Sequence, residues 1–207
     1  MKTIKSVLCV LFFMLSFVTS AQDLGPVVQN VNKATDVSGL IQVRSQLERF
    51  VMAQPQQWLA EYYLAYVDVQ LSFRVPDKNE KSQYLSEAET SLNNLSALKE
   101  TDKSEIYTLK GFRLYALIAS DPQTNGPKYS GEIMNAYGTA LGINPNNPRA
   151  VILSALFKND MAKFMHQGYD NFQKDVDKAA TLFANESKTV LTPTWGQNWV
   201  DYALNKK

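Results

Sequence analysis

His166 is the only histidine in the chain of 207 residues, and Cys9 is the only cysteine. A zinc site usually takes several His or Cys ligands, so these two residues predict no metal site. A Ser-His-Asp triad would have to use His166, and no Gly-x-Ser-x-Gly turn accompanies it. His166 reads as a polar residue at a helix end, favourable there when charged. No Gly-x-x-x-x-Gly-Lys loop is present to cradle phosphates. These residues predict no catalytic site and no cofactor. Glu61 and Asp68 are the carboxylates that could do most. Their seven-residue spacing puts them on one face of a helix, among aromatics. Two such carboxylates could hydrolyse a sugar, although a solvated or groove-lining face explains the same spacing.

Aromatics are the second group. Trp58, Tyr62, Tyr63, Tyr66, Phe73, Tyr107, Phe112 and Tyr115 cluster in two segments, and most of them must be core. A tyrosine on a groove can also anchor a partner, because it joins an apolar ring to a hydroxyl. Trp58, Glu61, Tyr62, Tyr66 and Asp68 therefore form the first candidate binding set. The second is Asp121, Asn125 and Lys128. Asp-Pro, Asn-Gly and Gly-Pro pairs there predict a loop, and Gly and Pro give it a local explanation as a turn.

These residues need elements to hold them, and helical spacing dominates the chain. Leu40, Val43, Leu47, Phe50 and Val51 make one helix face, with a shorter helix expected from Leu24 to Ala34. From Trp58 to Phe73 two apolar stripes run side by side, as in a helix packed between neighbours. A more polar helix carries Leu85, Ala88, Leu92 and Leu95. The next, from Asp102 or Ser104 to Ile118, is apolar nearly all round. Ile133, Ala136, Tyr137, Ala140 and Leu141 define a sixth helix ending at Asn144-Pro145. A seventh runs from Arg149 to about Gln167, and an eighth carries Phe172, Val176, Ala179 and Phe183. Pro193 precedes a last short helix with Trp195, Trp199 and Tyr202. No strand is expected.

The N-terminus reads as a secretory leader. Lys2 and Lys5 precede an apolar run from Val7 to Val18, and Thr19 and Ala21 are the small residues of a cleavage site. The run is short of the roughly 20 residues of a membrane span. Residues 1–21 are thus expected to be removed, leaving a domain from 22 to 207. Cys9 goes with the leader and is misplaced for a lipid anchor, so no disulfide is expected. The chain has 21 basic and 20 acidic residues, and losing Lys2 and Lys5 makes the mature form slightly acidic. No basic stripe for nucleic acid is visible, nor a polybasic membrane signal.

Ile133, Tyr137, Ala140-Leu141 and Asn144-Pro145-Asn146-Asn147 resemble the second helix and exit turn of a tetratricopeptide repeat. Trp58 and Tyr62 look like the first helix of another. Pro55 and Pro145 are two units of about 45 residues apart, near the length of helical-pair repeats. The whole chain resembles small exported tetratricopeptide-like proteins of Bacteroidetes. The shared features are Ser20-Ala21-Gln22, Trp58-Leu59 with Tyr62-Tyr63, Asp121-Pro122 with Gly126, Lys128 to Gly131, Asn144 to Arg149, and Pro193-Thr194-Trp195-Gly196. The resemblance implies an all-α fold of antiparallel helix pairs stacked as a short α-solenoid with a C-terminal capping helix, and export to the periplasm or the medium. The leading functional expectation is a non-catalytic module holding a protein, peptide or cell-envelope component in a helical groove. The alternatives are a carbohydrate binder or carboxylate-dependent hydrolase, and a structural part of an envelope assembly.

Overall fold

Short polar side chains open most of the helices. A computed structural model describes residues 23–189 and 192–205; the expected leader and its cleavage point lie outside them. Asp23 accepts from the Gly25 N–H and starts α1 (Leu24–Lys33). Asp36 does the same through Gly39 for α2 (Val37–Ala53). After α3 (Trp58–Arg74), Asp77 caps α4 (Lys78–Ala97), and Asp102 caps α5 (Lys103–Ser120). Asp121 caps α6 (Pro122–Ile143), and Asn147 caps α7 (Pro148–Phe164) through the Ala150 N–H. α8 (Phe172–Ala184) and α9 (Gln197–Asn205) complete the described chain. Each such cap satisfies an N–H that the helix itself leaves unpaired, a contribution of about 1 kcal/mol. No strand occurs among the described residues.

The helices form two layers. α1, α3, α5, α7 and α9 touch in succession, while α2, α4, α6 and α8 each pack between the flanking pair. The architecture is therefore an all-helical stack of antiparallel pairs, as the apolar patterning requires. In α3 every residue from Leu59 to Ser72 is buried, because neighbours cover it on all sides. The outer α4 buries only Leu85, Ala88, Ser91, Leu92 and Leu95. That one-sided burial is what its single apolar stripe permits.

One contact between layers depends on a missing side chain. A Cβ on Gly111 of α5 would lie 2.5 Å from Cε1 of the Tyr137 ring on α6. The ring is packed on its other sides and cannot retreat cheaply. Gly111→Ala is therefore expected to lower stability by about 1–3 kcal/mol, the usual cost of overpacking, in urea denaturation. A midpoint equal to wild type would show that the two helices can separate freely.

Candidate functional site

The two carboxylates singled out from the sequence do share a groove. Glu61 and Asp68 line an open depression of about 650 Å³ with Arg44, Glu48, Met52, Leu64, Glu87 and Asn94. Its centre is Arg44 on α2. Arg44 Nε donates to Asp68 Oδ1 at 2.5 Å, one terminal nitrogen to Glu48 at 2.5 Å and the other to Glu87 at 2.6 Å. Glu61 accepts from the Asn94 side chain at 3.0 Å. Both carboxylates are buried and each has a side-chain partner, where the sequence suggested a solvated or groove-lining face. They were affordable in a buried helix because α2 and α4 bring partners to them.

Asp68 is 1% exposed. Burial pushes its carboxyl up to about 7, against the pull of Arg44. Its native pKa is thus above the ordinary unfolded value, so the native state holds more protons between the two. Its contribution to stability is present at about pH 4 and lost as pH rises through about 7. Asp68→Asn is expected to flatten the stability profile across that window, read as denaturation midpoints at pH 4 to 8. An unchanged slope would place the titration elsewhere.

The other face of α3 is not an open groove. Tyr62 and Tyr63 are fully buried, and Tyr66 nearly so. The segment before α9 lies across them. Trp195 stacks on Tyr66 with centroids 4.4 Å apart and on Phe112 at 5.8 Å. Its Nε1 donates to the Tyr62 hydroxyl at 3.0 Å, which in turn donates to Glu105 at 2.7 Å. Thr194 N–H donates to the Tyr63 hydroxyl at 2.8 Å. Trp58, partly buried, meets Tyr62 edge to face at 5.7 Å. Sequence reasoning put Trp58, Tyr62 and Tyr66 beside Glu61 and Asp68 as surface anchors. The structure turns Tyr62 and Tyr66 into the core, because the chain's own C-terminal segment occupies that face.

Arg149 holds this segment down. Its five N–H donors reach Glu105 at 3.0 Å, Trp195 O at 2.9 Å, Pro193 O at 3.1 Å and both oxygens of Glu186. Burial opposes the charge on Arg149, and Glu105 and Glu186 outweigh it, so its pKa stands above the ordinary value. Gly196 completes the turn at φ 111°, a backbone setting that favours glycine. A Cβ there would also meet the Arg149 side chain at 2.9 Å.

The loop expected from Ser120 to Pro127 is absent: Ser120 ends α5, and α6 begins at Pro122. Asp121 accepts from the Thr124 N–H, and Pro122 occupies the first helical turn, where its missing N–H costs nothing. Asn125 donates to Leu117 O at 2.7 Å and ties α6 to the end of α5. The Lys128 ammonium lies over the Tyr129 ring, 4.7 Å from its centroid. All three candidates thus have local structural partners, and none lines the groove of Glu61 and Asp68. His166 lies just past α7 at φ 58° and is exposed.

A second groove, of about 290 Å³, runs between α4 and α5. Leu92, Leu98 and Ile106 supply apolar wall, and Lys103, Lys110 and Arg113 supply positive charge against Glu89. Tyr107, 36% exposed, lies along it. Arg113 is fixed by donating to Leu85 O at 2.7 Å and to Glu89 at 2.6 Å. Sequence reasoning missed this site. The signal was the i, i+4, i+7 spacing of Lys103, Tyr107 and Lys110, one face of one helix. Two lysines are too few to register as a basic stripe.

No protein-family model matches the chain, and no curated protein does. Among solved structures it is similar to the HusA haemophore from Porphyromonas gingivalis. The TM-score is 0.76 and the identity 23%, over 88% of this chain and 91% of that one. At that identity the likeness shows a shared helical fold. No described helix is long and apolar enough to cross a membrane.

Proposed function

We propose that this protein is an exported, non-catalytic binding module, and that it takes a flat apolar ligand carrying carboxylates, of which haem is the type. The observation that carries this reading is the groove between α4 and α5. It sets apolar side chains beside three cations and one carboxylate. A haem presents the complementary pattern, an apolar macrocycle with two carboxylate arms. Lys103 and Lys110 would pair with the carboxylates, and Leu92, Ile106 and the Tyr107 ring would meet the macrocycle. A tyrosine is also among the side chains that hold haem iron, which gives Tyr107 a second use. The groove lies at the small end of ligand pockets, about 300–1,000 Å³, so the ligand would rest on the surface with one face open. The fold shared with a haemophore supports the ligand class.

The test is a titration of haem into the mature protein, followed by its absorption bands. Saturable binding is expected, weakened about ten-fold or more when Lys103 and Lys110 are both changed to Glu. Absence of saturable binding, or equal binding by the double variant, would remove haem from this groove.

A further inference from the structure

α4 separates two grooves of opposite charge. On the α5 side cations prevail; on the α2 and α3 side four carboxylates, Glu48, Glu61, Asp68 and Glu87, face two guanidinium groups, Arg44 and Arg49. The acidic groove also holds an unmet demand. Asp68 Oδ1 receives Arg44, but Oδ2 is buried with no hydrogen-bond partner. A buried carboxyl oxygen left unpaired is costly, and Asp68 is one of the residues that line the groove. We propose that the groove between α2, α3 and α4 binds the lysine side chain of a basic peptide segment on a partner protein, with the lysine ammonium completing Asp68.

The chemistry selects the ligand. Among the described residues no three His, Cys, Asp or Glu side chains are placed to hold a metal ion, and the Arg44 guanidinium already stands at the centre of the carboxylates. A guanidinium ligand binds best with both oxygens of a carboxylate, and Asp68 has only one to offer. An ammonium is a point donor that needs one. Oδ2 is closed off from water, so a ligand reaches it by turning aside a wall side chain. Glu48 and Glu87 are more exposed than Asp68, and the one that moves would exchange its contact with Arg44 for the incoming ammonium.

A peptide fits better than a free amine. The groove is far larger than an ammonium, and beside it Met52 is 83% exposed, with Val51 and Leu64 next to it. Such a surface suits the methylene stem of a lysine, and a methionine adapts to varied chains. Glu61 repeats the acidic function two helical turns from Asp68, about 10 Å along α3. In a polyproline II segment, with three residues per turn and about 3.1 Å per residue, a second lysine three residues away falls on the same side about 9 Å along.

The experiment uses the mature protein and a fluorescent Lys-Ala-Ala-Lys peptide, read by anisotropy, with a Gln-Ala-Ala-Gln peptide and spermidine as comparison ligands. Saturable binding of the lysine peptide alone is expected, with affinity reduced about ten-fold in Asp68→Asn and by a smaller factor in Glu61→Gln. Circular dichroism establishes that each variant is folded, and Glu61→Gln decides the matter if Asp68→Asn is not. The Lys103→Glu, Lys110→Glu protein should bind the peptide as wild type does, so a failure of the haem reading leaves this result standing. Equal binding of the glutamine peptide, equal binding by folded variants, or spermidine binding as tightly as the peptide would overturn the proposal.

Discussion

Removal of the Arg149 side chain is expected to cost about 3–5 kcal/mol. Arg149 is 1% exposed, and each of its donors has an acceptor. Arg149→Ala would leave the Glu105 carboxylate buried without its cation and two backbone carbonyls, of Pro193 and Trp195, without donors. Burial already pushes the Glu105 carboxyl up, against the pull of Arg149. Without Arg149 that upward push would be unopposed by its nearest cation. Lysine should rescue little, since it has three donors on a flexible stem where the site uses five in a fixed fork. The damage should also be local before it is global. Trp195 is held by Arg149 through its carbonyl and by Tyr62 through its indole. Freed from Arg149, the segment from Pro193 to α9 should lift, red-shifting tryptophan emission and opening a protease site near Gly196 before the main unfolding step. Denaturation of Arg149→Ala and Arg149→Lys, with limited proteolysis, checks both parts. A loss within about 0.5 kcal/mol, as for a surface residue, would mean that the segment is held by its aromatics alone. Pairing Arg149→Met with Glu105→Gln should recover part of the loss, because the stranded charge is then gone.

The difference between Arg149 and the helices it joins explains what could be read in advance. Leu40, Val43, Leu47 and Phe50 announce α2 because their spacing is itself the mechanism: a helix with one buried face. The doubly apolar α3 likewise announces that it is packed on all sides, and it is. Nothing local marks Arg149, which looks like any polar residue at a helix start. Its meaning comes from Glu105, Glu186 and Trp195, each more than thirty residues away. The same holds for Tyr62 and Tyr66. Their helix was legible, but Trp195, which closes over them, is more than a hundred residues downstream. Pro193-Thr194-Trp195-Gly196 was visible as a motif, without a sign of where it would fold. The start of α6 was misread for a different reason. Asp-Pro favours both a turn and a capped helix start, and only the packing of Asn125 against the end of α5 decides between them.

Tyr137 carries the second large expectation. It is 1% exposed, its ring set into the space left by Gly111. Tyr137→Ala should therefore destabilise the protein by about 3–5 kcal/mol, through lost apolar burial and the cavity between α5 and α6. The hydroxyl makes a separate and opposite prediction. It is buried, and no hydrogen-bond partner reaches it, so the alanine variant strands no partner. An unsatisfied buried hydroxyl costs about 1–3 kcal/mol, and burial holds its proton on by raising the pKa well above that of free tyrosine. Tyr137→Phe keeps the ring and removes that cost. It should match wild type or exceed it by about 1 kcal/mol, while Tyr137→Ala falls far below. Urea denaturation of the three proteins separates the contributions of ring and hydroxyl. A phenylalanine variant weaker than wild type by more than about 1 kcal/mol would mean that the hydroxyl is bonded, to ordered water if to nothing else. An alanine variant within about 0.5 kcal/mol of wild type would mean that α5 and α6 close over the gap without the ring. The close approach at Gly111 would then have no role in holding the inner layer to the outer one.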